Sequence, residues 1–143
     1  MARKKAYEEK IVKLVLIKEG TYDLEEELLI TYPISIHGAG QDKTILQRHG
    51  IKIQGTKQEK KRVNMKGMTM KGASGRGLEA HNGLSFSCKR VTFTQCVFGV
   101  FVENTKGRLI NCVITQCKRS GIICSRNALI ELEGSQTKVD GNV

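Results

Sequence analysis

Tryptophan is absent from this 143-residue chain, proline occurs once, and aromatic residues make up only 5% of it. A core must therefore be built from aliphatic side chains, with methionine and cysteine as fillers. No run approaches the roughly 18 apolar residues of a membrane-crossing helix, so no membrane partner is expected. The opening stretch MARKKAYEEK lacks the apolar run and small-residue cleavage site of a secretory signal. Glu8 and Glu9 also make it a poor targeting peptide. The five cysteines are Cys88, Cys96, Cys112, Cys117 and Cys124, and no two stand in a C-x2-C pair. Cys88-x7-Cys96 and Cys112-x4-Cys117 are not zinc spacings. No metal site and no cofactor are expected, and the cysteines read as small buried hydrophobes. An odd number of cysteines without a signal peptide favours a reduced setting, cytoplasmic or nuclear.

Aspartate is equally scarce, with only Asp23, Asp42 and Asp140. The positive charge is not. The formal net charge is +10, and between Lys43 and Arg126 the only acids are Glu59, Glu79 and Glu103. Acidic residues gather near the start, at Asp23, Glu25, Glu26 and Glu27. A field of this sign attracts polyanions, whether acidic polysaccharide, nucleic acid or an acidic protein surface.

Against this background the sequence repeats itself. Gly77, Gly99 and Gly121 recur at 22-residue intervals, as do Asn82 and Asn104. Behind each glycine, apolar residues alternate: Leu78 and Ala80, Val100 and Val102, Ile122 and Cys124. That is the two-residue period of a half-buried strand. Val91-Thr92-Phe93-Thr94-Gln95-Cys96 is echoed by Cys112-Val113-Ile114-Thr115-Gln116-Cys117. Leucine does not recur at the offsets of a leucine-rich repeat, and propeller blades need about 40 residues. A coil of about 22 residues with short strands fits a parallel β-helix, whose coils stack about 4.8 Å apart. Stacking makes each repeated glycine a site of positive φ or of close backbone approach. Asn82 and Asn104 then become rungs of an amide ladder.

The expected fold is all-β: a single-stranded right-handed parallel β-helix of about five coils in one domain, residues 1–143. A short helix over residues 6–13 would cap its first edge. Residues 14–76 form irregular first coils, and residues 77–143 the regular 22-residue coils. The polar stretch TKQEKKR at 56–62 reads as a protruding loop. The final Gly141-Asn142-Val143 opens a coil and stops, so the expectation is either a piece of a longer β-helix or self-association through an uncapped C-terminal coil.

Ile17-Lys18-Glu19-Gly20-Thr21-Tyr22, then Ile34-Ser35-Ile36-His37-Gly38-Ala39-Gly40, then Thr44-Ile45-Leu46, resembles the opening coil of pectin-lyase-like β-helix proteins. The resemblance covers residues 17–46. It implies the fold, and together with the preference for right-handed parallel crossovers it implies the hand. The superfamily holds pectate lyases, polygalacturonases, pectin methylesterases, alginate epimerases and phage tailspikes, and also non-catalytic repeat domains. Fold alone selects none of these. The Asn-x-Asp, Asp-Asp and Gly-His-Gly motifs of polygalacturonase-like hydrolysis do not occur here. The central coils contain no Asp for a methylesterase-like site, and Glu79 and Glu103 alone are too few acids for a calcium-dependent lyase.

One constellation remains for catalysis. With Leu78, Ala80, Val100 and Val102 turned inward, Glu79, Phe101 and Ile123 form one outward column and His81, Glu103 and Ser125 another. His81 and Glu103 are then neighbours, as a base and its orienting carboxylate would be. The same pair also reads as an ordinary cross-strand contact of about 0.2–1 kcal/mol. Arg76, Lys89, Arg90, Lys106, Arg108, Lys118 and Arg119 are the candidate ligand-binding cations, with Lys89-Arg90 and Lys118-Arg119 lining one edge of the stack. The leading expectation is a non-catalytic module whose stacked face binds an acidic polysaccharide or acidic protein surface. An enzyme acting on acidic polysaccharide through His81 and Glu103 is the alternative. Nucleic-acid binding ranks last, since no interleaved aromatics or known motif support it.

Overall fold

The computed structural model describes residues 12–142. All regular structure among them is β, in short strands that wind through successive coils. The first coil runs β1 (Leu14–Leu16), β2 (Gly20–Asp23), β3 (Leu28–Ile30), and the second β4 (Ser35–His37), β5 (Thr44–Gln47), β6 (Ile51–Gln54). In the third, β7 (Val63–Lys71) bends through the first two positions before β8 (Arg76–His81). The fourth does the same with β9 (Phe86–Thr94) and β10 (Phe98–Glu103). The fifth holds β11 (Lys106–Ile110), β12 (Val113–Thr115), β13 (Ser120–Ser125), and the sixth β14 (Leu129–Glu133), β15 (Lys138–Asp140). Every pairing is parallel and joins a strand to its counterpart one coil away.

The result is a solenoid with three faces. Faces one and two share a continuous sheet, because β7 and β9 cross both; face three is a separate five-stranded sheet ordered β13-β10-β8-β6-β3. The chain makes about six turns, close to the expected number of about five. The early turns are hidden in the sequence by their uneven steps. Leu14 pairs with Ser35, a step of 21, but Ser35 pairs with Asn64, a step of 29 that takes in the 56–62 loop. On face three the late steps are a regular 22, from Leu78 to Val100 to Ile122. The capping helix falls mostly on residues 6–11, which lie outside the described residues; Val12 and Lys13 are in no helix.

Because parallel register sets like position over like position, the core consists of ladders. Ile36, Met65, Cys88 and Leu109 stack beneath face one, and Leu46, Met70, Phe93 and Ile114 beneath face two. Ile51, Leu78 and Val100 stack beneath face three, beside Ile53, Ala80 and Val102. All are buried. Each larger side chain so buried is worth about 1.5–3 kcal/mol. Cys88, Cys96, Cys112 and Cys117 belong to this core as free thiols. Burial pushes the Cys96 thiol up to about 11 and the Cys88 thiol well above its ordinary value. Cys124 continues the inward column of Ala80 and Val102 but is exposed. It lies on β13, the last strand of face three, and no further rung covers it.

The three bends are also ladders. Gly67, Arg90, Asn111 and Gly134 turn the chain from face one to face two, each with positive φ. Arg48, Gly72, Gln95, Gln116 and Gly141 do so at the end of face two, and Asn82, Asn104 and Arg126 at the end of face three. One or two left-handed residues per corner rotate the strand direction with little added chain length. Asn104 Nδ2 donates to Asn82 Oδ1 at 3.3 Å, joining two corners directly. The repeated glycines act by the other route, close approach. A Cβ on Gly99 would stand 2.6 Å from the Gly121 carbonyl oxygen and 2.8 Å from Ile114 Cγ2.

Gly107 is held as tightly, against a buried ring. It pairs with Phe86, and a Cβ there would lie 2.1 Å from the ring's Cζ. Phe86 is buried and cannot retreat. Gly107→Ala should destabilise the fold by about 1–3 kcal/mol in chemical denaturation. Combining it with Phe86→Leu should cost less than the two single changes added together, because the second change removes the clash.

Candidate functional site

Face three carries the His81–Glu103 pair. Register places Lys52, Glu79, Phe101 and Ile123 in one outward column and Gln54, His81, Glu103 and Ser125 in the next. His81 Nδ1 lies 3.5 Å from Glu103 Oε1, and His81 Nε2 contacts Glu79 Oε2. Arg76 Nη1 reaches Glu79 Oε1 at 3.1 Å, and Lys52 Nζ stands 3.9 Å from Oε2. The Arg76 guanidinium also lies 4.0 Å from the Phe101 ring centre, a cation–π contact. Glu79 is therefore buried although it points outward: the rings and long side chains around it close over the carboxylate. Burial alone would raise its pKa. Hydrogen bonds from His81 and Arg76, with their charges, outweigh burial and hold the carboxyl below its ordinary value.

This cluster is closed on itself. Both Glu79 oxygens are occupied, and both His81 nitrogens face carboxylates. A general base needs a free nitrogen within about 3 Å of a substrate proton, and His81 offers none in this arrangement. The structure thus brings His81, Glu103 and Arg76 together, but in a network that ties neighbouring rungs of face three to one another.

Face one is different. Its outward columns are Ser35, Asn64, Ser87, Arg108 and Glu131, and His37, Lys66, Lys89, Ile110 and Glu133. The last coil is acidic, and Glu133 neutralises Arg108 through two contacts of 2.6 Å. The Arg108 hydrogen bond holds the Glu133 carboxyl below its ordinary value. Lower in the stack there is no such compensation among the described residues. Burial, then the charge of Lys66, pushes the His37 pKa down. Lys66, Lys89 and Arg90 surround a pocket of about 260 Å³ at the corner leaving face one, walled by Gly38, Ala39, Gly40 and Gln41. Gln41 is pinned there by its amide, which donates to Thr92 Oγ1 at 2.9 Å. At the opposite edge, where the chain enters face one, a larger cleft of about 740 Å³ is lined by Lys13, Lys60, Lys61 and Arg62. Among the described residues, none of these seven cations is ion-paired.

The candidate cations of the sequence do not form one stripe. Lys89 and Arg90 sit at the corner between faces one and two, whereas Lys118 and Arg119 follow β12 at the corner beyond face two. Their strands all lie in one stack, but their places in the coil are on opposite sides of face two. Lys106 begins β11, Arg108 is paired with Glu133, and Arg76 belongs to face three. The cations that do converge include Lys13, Lys60, Lys61, Arg62 and Lys66, which the sequence did not single out. The available signal was the long second step: seven polar residues inserted in a coil must fold back over a neighbouring edge. Among the described residues, no group of three or more His, Cys, Asp and Glu is placed to hold a metal ion, and no helix is long and apolar enough to cross a membrane.

Because the folded-state pKa of Glu79 is depressed, its ionisation stabilises the fold above the ordinary carboxylate value of 4.5. That stability is lost as pH falls through the folded value. Glu79→Gln should be less stable than the wild type near neutrality, by about 1–3 kcal/mol. It should also lose less stability on acidification below about pH 4.5. Denaturant midpoints measured across that range check both halves; parallel curves for the two proteins would contradict the ion network described above.

No family model, no curated protein and no solved structure matches this chain, so what the site does must follow from its own residues.

Proposed function

We propose that this protein is a non-catalytic parallel β-helix module that binds an acidic ligand through face one. The observation that carries the reading is the set of seven cations, unpaired among the described residues, at the two edges of that face. Lys66 and Lys89 stand on paired positions of adjacent strands, about 4.8 Å apart. Like charges so placed are destabilising, and an anionic ligand relieves the repulsion. From Arg62 to Lys66 the strand advances about 13 Å, so an extended ligand lying along it meets both groups of cations. The closed state of the His81 network favours binding over turnover.

The opening coil supports a finer proposal, that the protein is a non-catalytic relative of the pectin-lyase-like proteins. Free buried thiols support a reduced, cytoplasmic or nuclear setting. A second reading, association of copies end to end, is favoured by apolar residues left exposed on the terminal coils, such as Leu16 at 70% and Leu132 at 50%. Sedimentation should then show a mass that rises with concentration; a monomer at all concentrations would rule it out.

The binding reading is tested by titrating a uronate polymer at increasing salt, with a sulfated polymer as the charge control. Binding that merely follows charge density should fade steeply with salt. Lys66→Glu with Lys89→Glu and Arg90→Glu should weaken binding roughly tenfold or more. Lys118→Glu with Arg119→Glu, beyond face two, should weaken it far less. Equal losses from the two sets would sink the assignment to face one.

A further inference from the structure

We infer that the cleft at the entry edge of face one docks an acidic segment of a partner protein that carries an apolar anchor residue. The inference rests on the acidic-ligand reading of face one and names the ligand's class. Its basis is the way the cleft combines two chemistries. The rim is cationic, formed by Lys13 on one side and by Lys60, Lys61 and Arg62 on the other. A turn holds the last three together: the Lys61 amide donates to the Gln58 carbonyl at 3.3 Å, and Lys60 adopts a left-handed φ of 59°. The floor is apolar, formed by Tyr32, Pro33 and Ile34, with Tyr32 left 36% exposed. Ser35 and Asn64 offer hydrogen-bonding groups at the inner end.

The cleft's volume of about 740 Å³ suits several side chains at once. A ligand recognised by charge alone would use the rim and leave the floor in water. A polypeptide supplies carboxylates and an apolar side chain on neighbouring residues, at the few-ångström spacing that joins rim to floor. Single-stranded nucleic acid is held by a succession of aromatic platforms, and among the described residues Tyr32 is the one aromatic residue lining this cleft. An acidic polysaccharide matches the rim but has no comparable apolar group for the floor.

The experiment is fluorescence anisotropy at physiological salt with four labelled probes of similar charge. The first is a glutamate-rich decapeptide with one central phenylalanine. The second carries serine in its place. The third is a single-stranded oligothymidylate and the fourth a uronate oligomer. The phenylalanine peptide should bind tightest, by about tenfold over the serine peptide. Tyr32→Ala should remove that preference and leave the serine peptide's affinity unchanged, while Tyr32→Phe should keep the preference. Lys60→Glu with Lys61→Glu and Arg62→Glu should weaken both peptides. Equal affinity for the two peptides overturns the inference, as does tighter binding of oligothymidylate or uronate. If such binding is still lost in the Lys66→Glu, Lys89→Glu, Arg90→Glu protein, the face-one reading stands and only the ligand class falls. If none of the four probes binds, both fall together.

Discussion

Parallel hydrogen bonding between successive coils is the constraint on which the rest of this molecule depends. Each strand pairs with its counterpart one turn away, so whatever residue type occupies a position is repeated directly above and below it. An inward position becomes an apolar ladder, as at Leu46, Met70, Phe93 and Ile114. A corner becomes a column of left-handed residues, as at Asn82, Asn104 and Arg126. A position of close approach becomes a column where glycine recurs, as at Gly50, Gly77, Gly99 and Gly121. The same rule governs charge. Cations on neighbouring rungs are forced together, so every outward column must pair its charges or leave them for something else to neutralise.

The two outward faces discussed above resolve that demand in opposite ways. On face three, Glu79 collects Arg76, Lys52 and His81, and His81 leads on to Glu103. The charges cancel within the network and the aromatic ring of Phe101 covers it. On face one only the last coil is balanced, through Arg108 and Glu133. The earlier coils leave Lys66 and Lys89 stacked with no carboxylate at hand among the described residues. A single loop, inserted at 56–62, then adds three more cations to the edge of the same face. The binding proposed for face one rests on an imbalance that the fold repeats, and on an insertion that breaks the repeat.

Much of the architecture was legible because the 22-residue steps of the later coils leave identical residues at identical offsets. Gly77, Gly99 and Gly121 announced the period, and the alternation of Leu78 and Ala80 announced the strand. The earlier coils were harder to read. Their steps of 21 and 29 residues put no equivalent residues at a constant spacing, so the sequence gives the number of coils only approximately. Cys124 keeps the inward register of Ala80 and Val102 yet is exposed, for a related reason. Periodicity says which way a side chain points, but only the number of coils says whether anything lies above it. The proximity of His81 and Glu103 followed from the register. Their engagement with Glu79 and Arg76 did not, since it depends on how long side chains lie across a sheet surface.

The sequence by itself determined the coil, its inward ladders and its corners, because these follow from local alternation and from a period that any stacked arrangement must respect. It also determined that the middle of the chain is strongly basic. Only the tertiary structure decided where that charge lies. Lys89 and Arg90 meet Lys66 at one corner, while Lys118 and Arg119, so alike in sequence, turn away beyond the next face. The rim of Lys13, Lys60, Lys61 and Arg62 gathers residues about 50 positions apart. The physical reason is that a solenoid maps sequence position onto an angle around its axis. A period fixes that angle for the regular coils, but each irregular step or loop shifts it by an amount that only the folded chain reveals.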